Sequence, residues 1–208
     1  MLEHIHWLGA GGFAILGTTH IYINPRRIAR PPRPADVILI GHSSYEFCST
    51  ADIDKLRNND TIVITSPSAS TQTDAKVVLR PWQSTAAGQA CVKGMPIVAP
   101  SNGAHKDSSS GDLGFVISTQ LYDIYYTGQT SSLASATSLR PDIMIVPIDD
   151  ANGLTTSELT SALREMRPRW VIPFRWSIGR RVTHYDVDAL SRELGSATEI
   201  VLAAACVV

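Results

Sequence analysis

The chain has 208 residues, of which 44% are hydrophobic and 18% are charged, so it can bury a sizeable core without disulfides or a structural metal. This composition excludes disorder as the main state of the chain. The formal net charge of −1 gives no overall field that would attract nucleic acid or an anionic membrane, and we predict neither partner.

The first forty residues contain four short apolar segments rich in β-branched and aromatic residues, a composition that favours strands. These segments are 4–8, 12–16, 19–23 and 36–40. The segment 24–34 between the last two has four prolines and four arginines. It predicts a solvated loop, because proline interrupts regular elements and arginine stays in water.

The middle of the chain predicts one short helix, at 51–58, and then a strand at 61–64. Residues 76–124 alternate short apolar runs with Gly and Ser turns, which is typical of strands.

From residue 142 onwards the pattern changes to alternating strands and helices. Thr155 and Glu158 have capping-box spacing at the start of a helix that Pro168 ends. A second helical stripe ends at Gly195, a residue suited to a helix C-terminus. The strands of this region are predicted at 143–146, 170–173 and 199–208. The chain 1–208 therefore predicts a single α/β domain.

The three cysteines, Cys48, Cys91 and Cys206, are far apart in the sequence and include no Cys-x-x-Cys pair. This spacing predicts buried reduced thiols. The sequence opens without a basic leader, and its longest strongly apolar run, 200–208, is too short to span a bilayer. We expect a soluble cytoplasmic protein.

Six short segments occur in an order that matches a known family. They are 5–13 (IHWLGAGGF), 21–25 (IYINP), 36–42 (DVILIGH), 124–130 (IYYTGQT), 142–147 (DIMIVP) and 171–175 (VIPFR). Together they resemble the metallo-β-lactamase superfamily, in particular the branch of metal-dependent hydrolases that includes ascorbate-6-phosphate lactonase. The resemblance implies a four-layer αββα sandwich and a site that holds one or two divalent cations.

The ligand motif of this family, His-x-His-x-Asp-His, aligns with 42–47 (HSSYEF). His42 is the one histidine that remains, Ser44 and Phe47 replace the other two, and Glu46 keeps a carboxylate. Neither serine nor phenylalanine supplies the nitrogen ligand that the motif requires.

Three further positions depart from the family pattern. Gln129 stands where the resemblance implies a bridging aspartate, Arg175 where it implies the last histidine, and Asn24 where it implies an aspartate. A neutral amide bridges cations poorly, and a protonated guanidinium repels them. The central histidine corresponds either to His105 or to the position of Asn102.

These departures predict that the dinuclear centre is lost and that no cofactor is bound. The leading hypothesis is a non-catalytic or strongly diverged relative whose old cleft binds a small anion or a protein partner. The residues expected to line that cleft are Asn24, Ser44, Tyr45, Gln129, Asp149 and Arg175.

Two alternatives stay open. One is a hydrolase of a small ester, lactone or phosphoester with a single Zn or Mn ion held by His42, Glu46 and His105. The other is an interaction module that uses the sandwich as a scaffold.

Smaller hypotheses concern other side chains. Arg175 is expected to take over the electrostatic role of the metal by pairing with Glu46. Cys48 is a candidate nucleophile beside His42, although an apolar setting raises a thiol pKa. His4 and His6 alternate on the first strand, where they are either half of a metal site or ordinary surface histidines.

Overall fold

The computed structural model describes residues 2–29, 33–45, 47–98, 111–148, 154–174, 182, 184–195 and 198–205. The strands of the first sheet are β1 (Ile5–Gly9), β2 (Gly12–Leu16), β3 (His20–Ile23), β4 (Val37–Ile40), β5 (Ile62–Thr65), β6 (Val77–Val78) and β14 (Ala204–Ala205). Those of the second sheet are β7 (Ser84–Ala87), β8 (Ala90–Pro96), β9 (Leu113–Ser118), β10 (Asp123–Tyr126), β11 (Ile143–Pro147), β12 (Trp170–Phe174) and β13 (Glu199–Ile200). The helices are α1 (Thr50–Leu56), α2 (Thr156–Met166) and α3 (His184–Leu194).

Each sheet combines antiparallel and parallel strands. The first sheet has the order β14-β1-β2-β3-β4-β5-β6, in which β3, β4, β5 and β6 are parallel neighbours. The second has the order β13-β12-β11-β10-β9-β8-β7, in which β10 to β13 are parallel neighbours. In both sheets the parallel strands therefore end at a common edge, and side chains from the following loops can meet there.

The space between the two sheets is filled by a shared apolar core. The Phe13 ring makes edge contacts with Tyr126 and Phe174, at centroid distances of 6.1 and 5.4 Å. The outer face of the first sheet packs against α1 through Ile53 and Leu56. These contacts bury apolar surface on both faces of the sheet, which is what makes continuous apolar strands such as β4 stable.

The outer face of the second sheet carries the other two helices. Leu159 and Leu163 of α2 and Leu190 of α3 belong to one apolar cluster with Met144 and Val146 of β11. The layers are therefore α1, the first sheet, the second sheet, and α2 with α3. This arrangement confirms the predicted αββα sandwich.

The local predictions for the helices are confirmed. The Thr155 side chain accepts from the Glu158 backbone N–H, and the Glu158 carboxylate accepts from the Thr155 backbone N–H, which completes the capping box. The helix ends at Met166, two residues before Pro168. Gly195 follows α3 with a φ of +71°, the left-handed conformation that glycine adopts without strain.

The predicted strand at 199–208 is wrong as a single element. Glu199–Ile200 pairs with β12 in the second sheet, whereas Ala204–Ala205 pairs with β1 in the first sheet, so the chain changes sheets in between. A continuous apolar run gives no periodicity that would mark such a crossing.

The loop after β3 also differs from its prediction in one respect. It contains no regular element over the described part, as expected, but Ile28 is 1% exposed and belongs to the apolar cluster under α1. The anchor is Asp52, whose carboxylate accepts from the backbone N–H groups of Arg27 and Ile28 at 2.8 and 3.1 Å. The loop is thus fixed to α1 rather than wholly solvated.

Asp52 predicts a pH-dependent contribution to stability. Burial raises the pKa of the Asp52 carboxyl, but hydrogen bonds from Ser49, Lys55, Arg27 and Ile28 outweigh it and hold the pKa below the ordinary 3.8. A carboxyl with a lowered pKa in the folded state stabilises the protein above its unfolded-state pKa. This stability is lost as the pH falls through 3.8 towards the folded-state value.

We therefore expect Asp52→Asn to lower the free energy of unfolding by about 2 kcal/mol at pH 7. The difference from the wild type should shrink below pH 4, as urea denaturation at several pH values would measure. Asp60→Asn, at an exposed carboxylate, is the matched control. A difference that stays constant down to pH 3 would contradict this role of Asp52.

Two further expectations concern the cysteines and membranes. Cys48 and Cys91 are both free; Cys48 is buried as predicted, but Cys91 is exposed because it alternates on β8 with the buried Ala90 and Val92. Cys206 lies outside the described residues. Among those that are described, no helix is long and apolar enough to cross a membrane.

Candidate functional site

The candidate site lies at the edge where β4 and β5 end and β9 begins. His42 follows β4 after a single glycine, and Asp112 immediately precedes β9. The backbone N–H of Leu113 donates to the Gly41 carbonyl oxygen at 2.9 Å, which joins the two sheets at this point. Two polar side chains from different sheets are thereby brought together over the end of the core.

Both ring nitrogens of His42 have a neighbour. The Ser44 backbone N–H donates to Nδ1 at 2.8 Å, so Nδ1 carries no proton. In the neutral ring the proton is then on Nε2, which lies 3.3 Å from the Asp112 carboxylate oxygen Oδ2. The His42 side chain is 10% exposed and that of Asp112 is 4% exposed.

Asp112 is the site residue that the sequence analysis missed. Its Oδ1 accepts from the Ser68 hydroxyl at 2.5 Å, and the Ser68 and Ser66 hydroxyl oxygens are 2.9 Å apart. Ser66 and Ser68 follow β5, so the polar chain from His42 to Ser66 spans both sheets. The sequence offers one signal for Asp112, namely that an aspartate stands directly before an apolar strand.

Phe47 and Ser44 occupy two positions where the motif has histidines. The Phe47 ring is 3% exposed and makes an edge contact with the His42 ring at 5.3 Å, so it covers the histidine with apolar surface. The Ser44 hydroxyl oxygen is buried and has no hydrogen-bond partner within the described residues. A buried polar atom of this kind calls for a partner from outside the chain, such as a water or a ligand.

The Asn24 side chain is hydrogen-bonded to the backbone next to His42. Its Oδ1 accepts from the Gly41 N–H at 2.9 Å, and its Nδ2 donates to the Tyr126 hydroxyl at 3.0 Å. The Tyr126 hydroxyl in turn donates to the Gly11 carbonyl oxygen at 2.8 Å. Burial raises the pKa of Tyr126, and the phenol stays protonated and able to donate. The amide thus links three chain segments and holds the residue before His42.

Of the other predicted site residues, the structure describes only Tyr45 and Gln129. Tyr45 is 76% exposed, with the Arg26 guanidinium 4.9 Å above its ring. Gln129 is half-buried after β10. Glu46, His105, Asp149 and Arg175 lie outside the described residues, and with them the expected Glu46–Arg175 pair.

Metal-binding capacity can be tested on the ligands that are described. Within the described ranges, no group of three or more His, Cys, Asp or Glu side chains is arranged to hold a metal ion. His42 and Asp112 are two such side chains at 3.3 Å. Ligation through Nε2 requires the ring proton on Nδ1, where it would oppose the Ser44 N–H. The His42 ring as placed therefore does not fit a metal.

Cys48 fits a structural rather than a nucleophilic role. Its backbone N–H donates to the Ser44 carbonyl oxygen at 3.0 Å, and its side chain belongs to the apolar cluster beneath α1. Burial raises the pKa of the Cys48 thiol, which keeps it protonated and unreactive at neutral pH.

A cavity of about 400 Å³ lies beside Asp112. Prolines supply much of its wall, and the exposed residue Arg80 also lines it. The residues around it are Pro67, Arg80, Pro81, Pro96, Ile97, Gly111 and Asp112. Its volume falls within the range of small-molecule pockets, roughly 300–1,000 Å³.

Comparison with known proteins decides the family. A family model described as a beta-lactamase superfamily domain matches residues 4–175 of the chain. The chain belongs to the metallo-β-lactamase superfamily. The resemblance inferred from the six short segments is thereby confirmed.

Three hydrolases similar to this chain share between 14 and 22% sequence identity with it. A UPF0173 metal-dependent hydrolase from Archaeoglobus fulgidus is 22% identical over 191 residues, covering 83% of each chain. A solved structure from Parabacteroides distasonis, described as that of a metal-dependent hydrolase, has a TM-score of 0.80 at 18% identity and covers 97% of this chain and 92% of its own. A metallo hydrolase from Ignicoccus hospitalis has a TM-score of 0.73 at 14% identity, covering 96% and 94%. Likeness at these identities establishes the αββα fold.

Proposed function

We propose that this protein is a metal-free, non-catalytic member of the superfamily that binds a small molecule in the former metal cleft. The observation that carries the proposal is the hydrogen bond from the Ser44 N–H to His42 Nδ1. It assigns the ring proton to Nε2, the nitrogen that a metal would otherwise take. The departures at Ser44 and Phe47 support the same conclusion, since neither side chain supplies a nitrogen ligand.

The neighbours of His42 suit a hydrogen-bonded histidine. A carboxylate 3.3 Å from Nε2 stabilises an N–H group at that nitrogen. The Phe47 ring against the imidazole excludes water from one side. In this setting His42 positions Asp112 and is not available as a ligand or as a general base.

The surroundings of the cleft support a small polar or anionic ligand. The buried Ser44 hydroxyl offers a donor and an acceptor without a described partner. The cavity beside Asp112 adds apolar proline surface and the Arg80 guanidinium, for which no ion pair with a described carboxylate occurs within 4 Å. A guanidinium at the wall of an apolar cavity favours an anionic group on the ligand.

The proposal is tested by metal analysis together with the tautomer of His42. Protein purified without chelators is expected to contain less than about 0.1 equivalent of Zn, Mn or Fe, because His42 offers an N–H where a ligand nitrogen is needed. Nitrogen-detected NMR of the imidazole rings should find His42 protonated on Nε2, with His42→Ala identifying its signals among the six histidines. Near-stoichiometric metal that is lost in His42→Ala would overturn the proposal.

A metal-dependent hydrolase is the second candidate, because proteins of this description from Archaeoglobus fulgidus and Parabacteroides distasonis share the fold. It would require His42 to move its proton to Nδ1 and to give up the hydrogen bond from Ser44. Metal-stimulated turnover of lactone or phosphodiester substrates that disappears in His42→Ala would favour this candidate over the first.

A further inference from the structure

A second and larger cavity lies at the opposite end of the sandwich from His42. Its volume is about 900 Å³. Thr18 and Thr19 precede β3 and Arg33 precedes β4, whereas His42 follows the other end of β4. The cavity and the former metal cleft are therefore separated by the length of the parallel strands.

The inner wall of this cavity is apolar. Ile5, Ile15 and Ile124 contribute to it, and all three belong to the core between the sheets. Ile5 and Ile15 are paired on β1 and β2, whereas Ile124 comes from β10 of the other sheet. These isoleucines are 1, 6 and 2% exposed and close the floor of the cavity, whereas Leu16 of β2 and Leu121 between β9 and β10 supply accessible apolar surface. A ligand in the cavity would bury apolar surface contributed by both sheets.

The rim of the cavity is built from turns that hydrogen-bond one another. The Thr19 hydroxyl accepts from the Gln89 N–H at 3.2 Å, which joins the turn before β3 to the turn between β7 and β8. The Thr119 hydroxyl donates to the Tyr122 carbonyl oxygen at 3.0 Å and accepts from the Tyr122 N–H at 3.1 Å, which closes the turn between β9 and β10. A rim fixed in this way is largely formed before a ligand arrives, which lowers the entropy cost of binding.

The charge of the cavity lining is one-sided. Arg33 lines the cavity, and none of the described residues that line it is an aspartate or a glutamate. Arg33 Nη1 lies 3.5 Å from His20 Nε2, and no ion pair between Arg33 and a described carboxylate occurs within 4 Å. The Asp36 carboxylate is instead on the far side of the imidazole, 3.8 Å from His20 Nδ1. The guanidinium therefore has no direct ion pair with a described carboxylate that would compete with an anionic ligand.

The backbone at Arg33 is fixed despite the exposure of its side chain. The buried Tyr22 side chain donates from its hydroxyl to the Arg33 carbonyl oxygen at 2.8 Å. The strand that follows is β4, an interior strand of the first sheet. The Arg33 backbone is thus fixed at the rim, and its exposed side chain is accessible to a ligand.

We infer that this cavity binds a small carboxylate with an apolar body. The carboxylate pairs with the Arg33 guanidinium, whose planar array of donors matches two carboxylate oxygens. The apolar body lies against Leu16 and Leu121, above the floor that the isoleucines form. This second site uses none of the residues of the His42 cleft.

Octanoate is a suitable probe, with octanol as the neutral ligand of the same chain length and acetate as the headgroup alone. Isothermal titration calorimetry on the full chain should give octanoate binding that is at least about tenfold tighter than that of either reference ligand. Arg33→Gln should weaken octanoate about tenfold and leave octanol unchanged. Arg57→Gln removes the same charge beside Asp54, away from the cavity, and should have no effect.

Each other outcome contradicts the inference. Equal affinity for octanoate and octanol would mean that the cavity does not distinguish a carboxylate from a neutral group. An equal loss of octanoate affinity in Arg33→Gln and Arg57→Gln would mean that only the net charge of the protein matters. Octanoate binding that is abolished by His42→Ala but kept in Arg33→Gln would move the ligand to the other cleft. Absence of octanoate binding at millimolar concentration to a folded wild type would exclude the site.

Discussion

Replacing Gly41 with alanine is expected to lower the free energy of unfolding by about 3 kcal/mol or more, because the new methyl group would overlap the backbone of the opposite sheet. A Cβ at this position falls inside contact distance of the Leu113 carbonyl oxygen and within 3.2 Å of Phe115 Cε2. Neither neighbour can move freely, since Leu113 also donates to the Gly41 carbonyl oxygen. Urea denaturation followed by circular dichroism measures the loss.

Gly17→Ala is the matched control for this variant. A Cβ at Gly17 has no heavy atom within 4 Å, so alanine should leave stability unchanged or raise it by about 0.5 kcal/mol. Equal stability of the two alanine variants would mean that the sheets separate at this edge without cost. In Gly41→Ala we also expect the NMR signals of His42 to shift, because Gly41 directly precedes His42 and a displaced backbone at residue 41 would move the imidazole.

Asp112→Ala is expected to cost about 3 kcal/mol of stability, since it leaves polar groups of buried residues without their acceptor. The carboxylate accepts from the Ser68 hydroxyl and lies 3.3 Å from His42 Nε2. Alanine provides no acceptor for either group and leaves an empty volume at the junction of the sheets. Thermal and urea unfolding would both measure this effect.

Asp74→Ala removes a carboxylate that is 94% exposed and 3.8 Å from Arg57, and it should change stability by less than about 0.5 kcal/mol. If Asp112→Ala proves as mild as this control, the polar chain through Ser68 does not hold the sheets together. If Asp112→Ala instead raises the metal content of the protein, His42 is able to ligate a metal, and the proposed metal-free function is wrong.

Much of the fold could be predicted because its signals are local or belong to the family pattern. Thr155 and Glu158 mark the start of α2 through groups three residues apart, and Gly195 marks the end of α3 in the same way. The αββα arrangement was predicted from the order of the six segments that resemble the family. The break between Ile200 and Ala204 was not predictable, because the choice of sheet depends on distant strands and not on the local sequence.

The sequence identified some residues of the site, but it did not predict which nitrogen of His42 carries the proton. The family motif singled out His42 as the histidine that remains and Ser44 as a departure from the ligand pattern. The proton position on His42 depends on a backbone N–H and a carboxylate that meet only after folding. Asp112 was missed for the same reason, since its partners Ser68 and His42 come from loops after other strands.

The pairing of β14 with β1 has a consequence for how the protein is made. His6 lies opposite Ala204 and Trp7 opposite Ala205, so the partner of β1 on this side emerges from the ribosome after every other strand described here. Until then β1 presents an open row of backbone donors and acceptors, which can pair with a strand of another chain. Proteolytic trimming before residue 204 would restore that open edge in the mature protein. Protection against aggregation at this edge therefore depends on the two-residue strand Ala204–Ala205.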